Sequence, residues 1–196
     1  MAWTDDPLRR RAYHVGNVRT ELLDQARSLL EEGGLGRLSL RSLAARAGVA
    51  PGSVYHHFDS KAALLAELAR AGFDKLKAEL SKAAEAAGEG QRIRACALAF
   101  FGFARREPAL YALMFDPEII AAAGLGPARN GAFEVLEAVV ANAASQQGRS
   151  PDIVHRVALA VWACGHGAAS MTLADPGDDE LMEDVIQGLG ALFRRR

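Results

Sequence analysis

The chain has 196 residues, half of them hydrophobic and a quarter charged, with a formal net charge of −1. That balance excludes a disordered or fibrous polypeptide and leaves room for a sizeable core without disulfide or metal staples. Neutrality also excludes a wholly basic nucleic-acid coat, so any basic surface must be local.

The first 14 residues, MAWTDDPLRRRAYH, have no apolar core and begin with acids, unlike a secretory signal, and no apolar run approaches a membrane span. A cytoplasmic protein with no membrane partner is expected. Residues 1–16 read as a flexible tail in which Arg9, Arg10 and Arg11 offer either a minor-groove arm or a solvated run. Apolar spacing of three and four then recurs almost everywhere, with no alternating strand, so the fold class is all-α with about nine helices.

The first helix is expected from about Val18 to Glu32, with Val18, Leu22, Ala26, Leu29 and Leu30 on one face, Asn17 as cap and Gly33-Gly34 as stop. A second starts after Ser39 and ends near Ala47-Gly48; a third starts at Pro51 and ends near His57. A long fourth follows Asp59-Ser60 and is broken by Gly88 and Gly90. A fifth around Ile93–Ala104 stops before Pro108, and Ala109–Phe115 is a short sixth. The stretch from Pro117 through Gly126-Pro127 reads as irregular. Arg129–Gln147 is a seventh helix, Ser150-Pro151 opens an eighth that reaches Leu173, and a ninth runs from about Asp179 to Phe193 after the break at Pro176-Gly177. The expected division is a helix-turn-helix domain over 17–60 and a helical ligand-sensing and dimerisation domain over 61–196.

Between Leu35 and Phe58 there is no carboxylate, while Arg37, Arg41, Arg46, His56 and His57 fall there. A phosphate-facing surface needs that absence of negative charge. The spacing inside the segment is more specific. Ala44 is small enough for a following helix to cross closely, Gly48 can take a positive-φ turn without a Cβ penalty, and Val54 can lock the next helix inward with Leu40, Leu43 and Val49. Such a pair of short helices is a helix-turn-helix, whose second helix enters the major groove. Its outward residues are then Pro51, Gly52, Ser53, Tyr55, His56 and His57, and their N–H and O–H groups suit phosphates and base edges. Lys61, in the first turn of the fourth helix, is placed to hold a phosphate. Arg41 and Ser42 are placed to touch the flanking backbone.

The run GVAPGSVYHHFDSKAALL, preceded by TELLDQARSLLEEGG, resembles the TetR family of transcriptional regulators over about residues 17–68. Ala50 stands where that family commonly has a capping Ser or Thr, and Ala62 where it often has Glu. The resemblance implies a homodimer on a palindromic double-stranded operator, and a C-terminal domain that binds a small-molecule effector and releases the DNA. A non-enzymatic repressor is expected; an activator would use the same DNA contacts. A helical interaction protein that does not bind DNA is the other class. No phosphate loop, nucleophile elbow or HExxH supports catalysis, and no cofactor or metal site is expected.

In the C-terminal part, Phe100, Phe101, Phe103, Tyr111, Met114 and Phe115 can line an apolar cavity or simply fill a core. Trp162-Ala163-Cys164-Gly165-His166-Gly167 resembles the Trp-His-Gly signature of one TetR subgroup. Trp162 and His166 can donate into a cavity, and His166 reads equally as a structural histidine. Cys96 and Cys164 read as free thiols. Met182, Val185, Ile186, Leu189, Leu192 and Phe193, with Gly188 and Gly190 between them, give the last helix more than one apolar stripe. The last two helices are therefore the expected dimer surface.

Overall fold

The computed structural model describes the backbone of residues 7–174 and 181–193, and the side chains of residues 18–173, 181 and 183–188. The described residues form ten α-helices and one 3-10 turn, with no strand among them. Contacts divide the chain into two compact units, residues 1–68 and 69–196.

In the first unit, α1 spans Pro7–Arg37, α2 Leu40–Ala47 and α3 Pro51–Tyr55. Leu22, Ala26 and Leu30, four apart, are the buried ridge of α1. The helix leaves regular geometry at Gly34, whose φ of +64° suits a residue without a Cβ. The backbone is helical from Pro7, so residues 7–16 of the expected tail are not an extended arm. Proline fits a first helical position, and Leu, Arg and Ala sustain the turns after it. The stretch has no apolar stripe, which is why periodicity passes over it. Residues 1–6 and the side chains of Arg9, Arg10 and Arg11 lie outside the described residues.

Ser39 caps α2 by accepting from the Ser42 N–H at 3.0 Å, and the Ser42 hydroxyl accepts from the Ser39 N–H at 2.9 Å. Gly48 ends α2 in the left-handed region at φ +67°, with its N–H turned back to the last carbonyls. Leu40, Leu43, Ala44 and Val54 are buried, and Val49 is half-buried. Burying one Leu or Val side chain contributes about 1.5–3 kcal/mol, and these four close the small core beneath α3.

α4 spans Lys61–Ala86, and Ser60 caps it by accepting from the Ala63 N–H at 3.1 Å. Leu64 and Leu68 on its first two turns are buried within the first unit. The division therefore falls eight residues beyond the expected boundary at 60/61.

The second unit continues with α5 Arg92–Arg106, α6 Pro108–Met114, α7 Pro117–Ala122 and α8 Gly126–Gln146. A 3-10 turn at Pro151–Ile153 leads into α9 Val154–Ala174, and α10 spans Leu181–Phe193. α9 packs on α5 and α8, and α10 packs on α9 and α5. The count exceeds nine because the stretch expected to be irregular contains α7. Asp116 caps it by accepting from the N–H groups of Glu118 and Ile119 at 2.8 and 3.1 Å. Pro117 is its first residue, so a proline read as a breaker is a start signal. α8 likewise begins at Gly126-Pro127, three residues before Arg129. The break at Pro176-Gly177, the expected helix start at Asp179, and the side chains of Met182, Leu189, Gly190, Leu192 and Phe193 lie outside the described residues.

A side chain at Gly72 on α4 would require its neighbours on α6 to shift. A Cβ there would come within 2.5 Å of the Met114 sulfur, so α4 and α6 touch closely at that point.

Candidate functional site

α3 is five residues long and lies across α2 with Val54 turned fully inward. Pro51, Gly52, Tyr55 and His56 are exposed, and Ser53 and His57 are half-buried. Tyr55 leaves 48% of its surface to solvent, an uncovered aromatic on a short helix. Arg41 is exposed on the first turn of α2. Lys61 donates one N–H from Nζ to the Leu35 carbonyl at 2.7 Å, which leaves two of its three donors. The Ser42 hydroxyl is occupied in the cap and lies 2.8 Å from the Arg37 carbonyl. Arg46 is also occupied: both its terminal nitrogens donate to Glu32 at 2.6 Å, and its Nε donates to Gln25 at 3.0 Å. The hydrogen bond from Arg46 holds the Glu32 carboxyl below its ordinary range. The acid-free stretch thus presents Arg41 as a free cation while Arg46 is neutralised from α1.

The second unit contains a cleft of about 760 Å³ between α7, α8 and α9. Phe115, Phe133, Trp162 and Leu159 give it apolar walls, with Pro117 and Ile120 from α7. Phe133 meets Trp162 edge-on at 5.6 Å, and Phe115 lies 4.6 Å from the His166 ring. The polar groups are Arg129, Asn130, Glu134 and Glu137 on α8, and His155 and His166 on α9. His155 Nδ1 is 2.6 Å from Glu137. Behind the wall, the Tyr111 hydroxyl is 2.5 Å from His166 Nδ1. Burial pushes the His166 pKa below and the Tyr111 pKa above their ordinary values, so both are neutral near pH 7. The phenol and Nδ1 share one hydrogen bond, whose direction follows the imidazole tautomer. No group of three or more His, Cys, Asp or Glu that could hold a metal occurs among the described residues.

The family model for bacterial regulatory proteins of the tetR family matches residues 22–68, and a tetracyclin repressor-like C-terminal domain model matches residues 93–189. The chain belongs to the TetR family. It is 48% identical over 58 residues to the HTH-type transcriptional repressor KstR2 of Rhodococcus jostii, a match covering 30% of this chain and 28% of that protein. The chain thus spans only about a quarter of the length of that relative. It is 28% identical over 147 residues to the repressor KstR of Mycolicibacterium smegmatis, covering 74% of this chain and 72% of that one. A solved protein of unknown function from Rhodococcus sp. RHA1 is 31% identical with a TM-score of 0.75, covering 89% and 92% of the two chains.

Within this TetR-family chain, the expected head residues on α2, on and just after α3, and at the start of α4 are exposed or half-buried, and the Ser42 hydroxyl is turned into the cap. The expected pocket residues separate into three groups. Phe115, Trp162 and His166 line the cleft, and Phe100 and Tyr111 stack behind it, Phe100 at 5.0 Å from Trp162. Phe101, Phe103 and Met114 are buried and do not line it. Phe100 also borders a void of about 20 Å³ beside Cys96, too small for an effector. Sequence reasoning missed the α8 wall. Its signal was a mixed stripe, Asn130, Phe133, Glu134 and Glu137, polar where a core-facing helix would be apolar throughout. It also missed Arg19, which has three partners near the end of α3.

Proposed function

We propose that this TetR-family protein is a ligand-released transcriptional repressor, cytoplasmic, that binds a palindromic double-stranded operator as a homodimer. The observation that carries the reading is the exposed face of α3. Pro51, Gly52, Tyr55 and His56 stand free on a helix locked from below by the fully buried Val54. Arg41 and the remaining donors of Lys61 supply phosphate contacts beside it, while Tyr55, His56 and His57 supply donors to base edges.

Pairing through α9 and α10 is supported by Ala160, Ala163, Gly167 and Met171, exposed at spacings of three and four along α9. Met171 is 61% exposed. Small residues let two such helices approach closely, and a two-fold pair would present two copies of α3 to successive turns of DNA.

The cleft is the proposed effector site, because its volume and its apolar walls with a few polar groups suit a small molecule. Occupancy would act on Trp162 and His166, then on Tyr111 of α6, and then on α4 where Met114 meets Gly72. α4 continues to Lys61, and so serves as the proposed lever. Differential affinity of the effector for two states of the protein supplies the drive.

The test uses the full chain and a duplex that it selects from a random pool. Tyr55→Ala and Lys61→Ala are each expected to weaken binding about tenfold, the worth of one charge-assisted hydrogen bond or base contact. Binding indifferent to both overturns the assignment of the interface. A compound that raises the melting temperature is expected to lower operator affinity at fixed salt, and Trp162→Ala is expected to abolish both effects. Unchanged operator affinity at saturation overturns the sensing mechanism.

A further inference from the structure

α3 is too short to orient itself. It has five residues, and Ala50 gives its N-terminal end no side-chain cap. Val54 fixes it from beneath, but one inward side chain leaves the helix free to rock about that point. Its far end is held differently. The N–H groups of His57 and Phe58 both return to the Val54 carbonyl, at 3.0 Å each. The His57 carbonyl lies beyond the helix, where it has no partner in the helical ladder. Arg19 of α1, 38 residues earlier, donates to it from Nη1 at 3.0 Å. The same guanidinium forms an ion pair through Nη2 with Glu67 of α4 at 3.1 Å and lies 5.0 Å from the centre of the buried Phe58 ring. One planar group therefore ties α1, the end of α3 and the second turn of α4 together. A guanidinium can do this because its donors form a rigid fork and its face stacks on a ring; an ammonium is a point charge with neither property.

We propose that Arg19 is the positioning residue of the reading helix. It fixes the C-terminal end of α3, and so the aim of Tyr55 and His56 at base edges, without itself touching DNA. Its charge is balanced by Glu67 rather than by a phosphate. This rests on the DNA-binding reading above. It differs from the ordinary role of an arginine near DNA, and the difference changes the sign of one measurement.

The experiment compares two duplexes at fixed salt, one selected by the full wild-type chain from a random pool and a scrambled duplex of the same length. Arg19→Ala is expected to weaken binding to the selected duplex about tenfold, the worth of a lost hydrogen bond to a charged group, and to leave the scrambled duplex within about twofold, since that binding follows the number of phosphate contacts and Arg19 makes none. A phosphate contact would weaken both by the same factor. Glu67→Gln removes a negative charge. If Arg19 touched a phosphate, freeing it would tighten both complexes; if Arg19 positions α3, binding to the selected duplex weakens. Arg19→Lys keeps the charge and loses the fork, so it is expected to behave as Arg19→Ala. It also serves as the readout if the alanine variant does not fold, which a thermal melt detects. Uniform weakening, a tighter Glu67→Gln complex, or full rescue by lysine each overturns the positioning role and leaves the DNA-binding reading standing. No duplex enriched by the wild type overturns both.

Discussion

The two units of this chain solve opposite problems. Residues 1–68 build a small core so that side chains can point away from it: Leu43, Ala44 and Val54 are sealed, and Tyr55 and His56 stand in solvent. Residues 69–196 build a larger core that stops short of closing, and leave a cleft walled by Phe115, Phe133 and Trp162. On the proposed reading, function in the first is what the core displays, and in the second it is what the core fails to fill. A substitution in the head should therefore be felt as lost display, and one in the body as altered filling.

The sharpest way to break that contrast is Leu43→Ala. Leu43 is fully buried in α2, and the loss is expected to be about 3 kcal/mol. Chemical denaturation should show an early transition for the head, with operator binding lost and any ligand-induced thermal shift of the body retained. Equal destabilisation of both units in one transition would contradict their separate construction.

A smaller change runs the other way. Ala50→Ser supplies α3 with the cap it lacks and is expected to stabilise the head by about 1 kcal/mol, read as a higher denaturation midpoint. A null result would place the N-terminal N–H groups of α3 in some other partnership.

Acid should separate the units further. Burial lowers the His166 pKa from its ordinary 6.5. Below that value the unfolded chain takes a proton that the folded chain resists, so this contribution leaves stability unchanged above pH 6.5 and lowers it as the pH falls further. Melts between pH 7.5 and 5.5 should show the body weakening, and His166→Gln should flatten the decline. An equally steep decline in the variant would assign the effect elsewhere.

The smallest expected effect is none at all. Cys96 is buried beneath α4, and burial pushes its thiol up to about 11, so a thiol reagent should leave it unmodified until the body unfolds. Rapid modification in the native protein would mean that this core opens readily.

The contrast also explains what could be read from the sequence. The proposed reading face, the cap of α2, the turn glycine and the inward lock lie within 23 consecutive residues, Ser39 to Lys61, and each is set by local spacing. Gly48 adopts the positive φ that the turn asked for, and Ala50 leaves α3 uncapped. Apart from the Ser42 hydroxyl, which the local cap takes up, the departures in the same region are long-range. Arg46 turns to Glu32, and Arg19 reaches His57 and Glu67; no helical periodicity links positions so far apart. The cleft was harder because its walls come from Phe115 and α7, from α8 and from α9, segments separated by up to 50 residues. An aromatic that faces a cavity and one that faces a core have the same spacing. Phe100 and Phe101 are neighbours in sequence, yet one stacks behind the cleft wall and the other lies with Arg105 at 5.8 Å from its ring. Only the arrangement of the other helices distinguishes them.

Gly72 bears on how closely α4 meets α6. Its side chain is a hydrogen atom, the smallest spacer the genetic code provides, and it already sits against Met114. A replacement must either displace the Met114 side chain or part the two helices, and a larger residue at 72 is best matched by a shorter one at 114. The spacing of α4 and α6 is thus written in two positions rather than one.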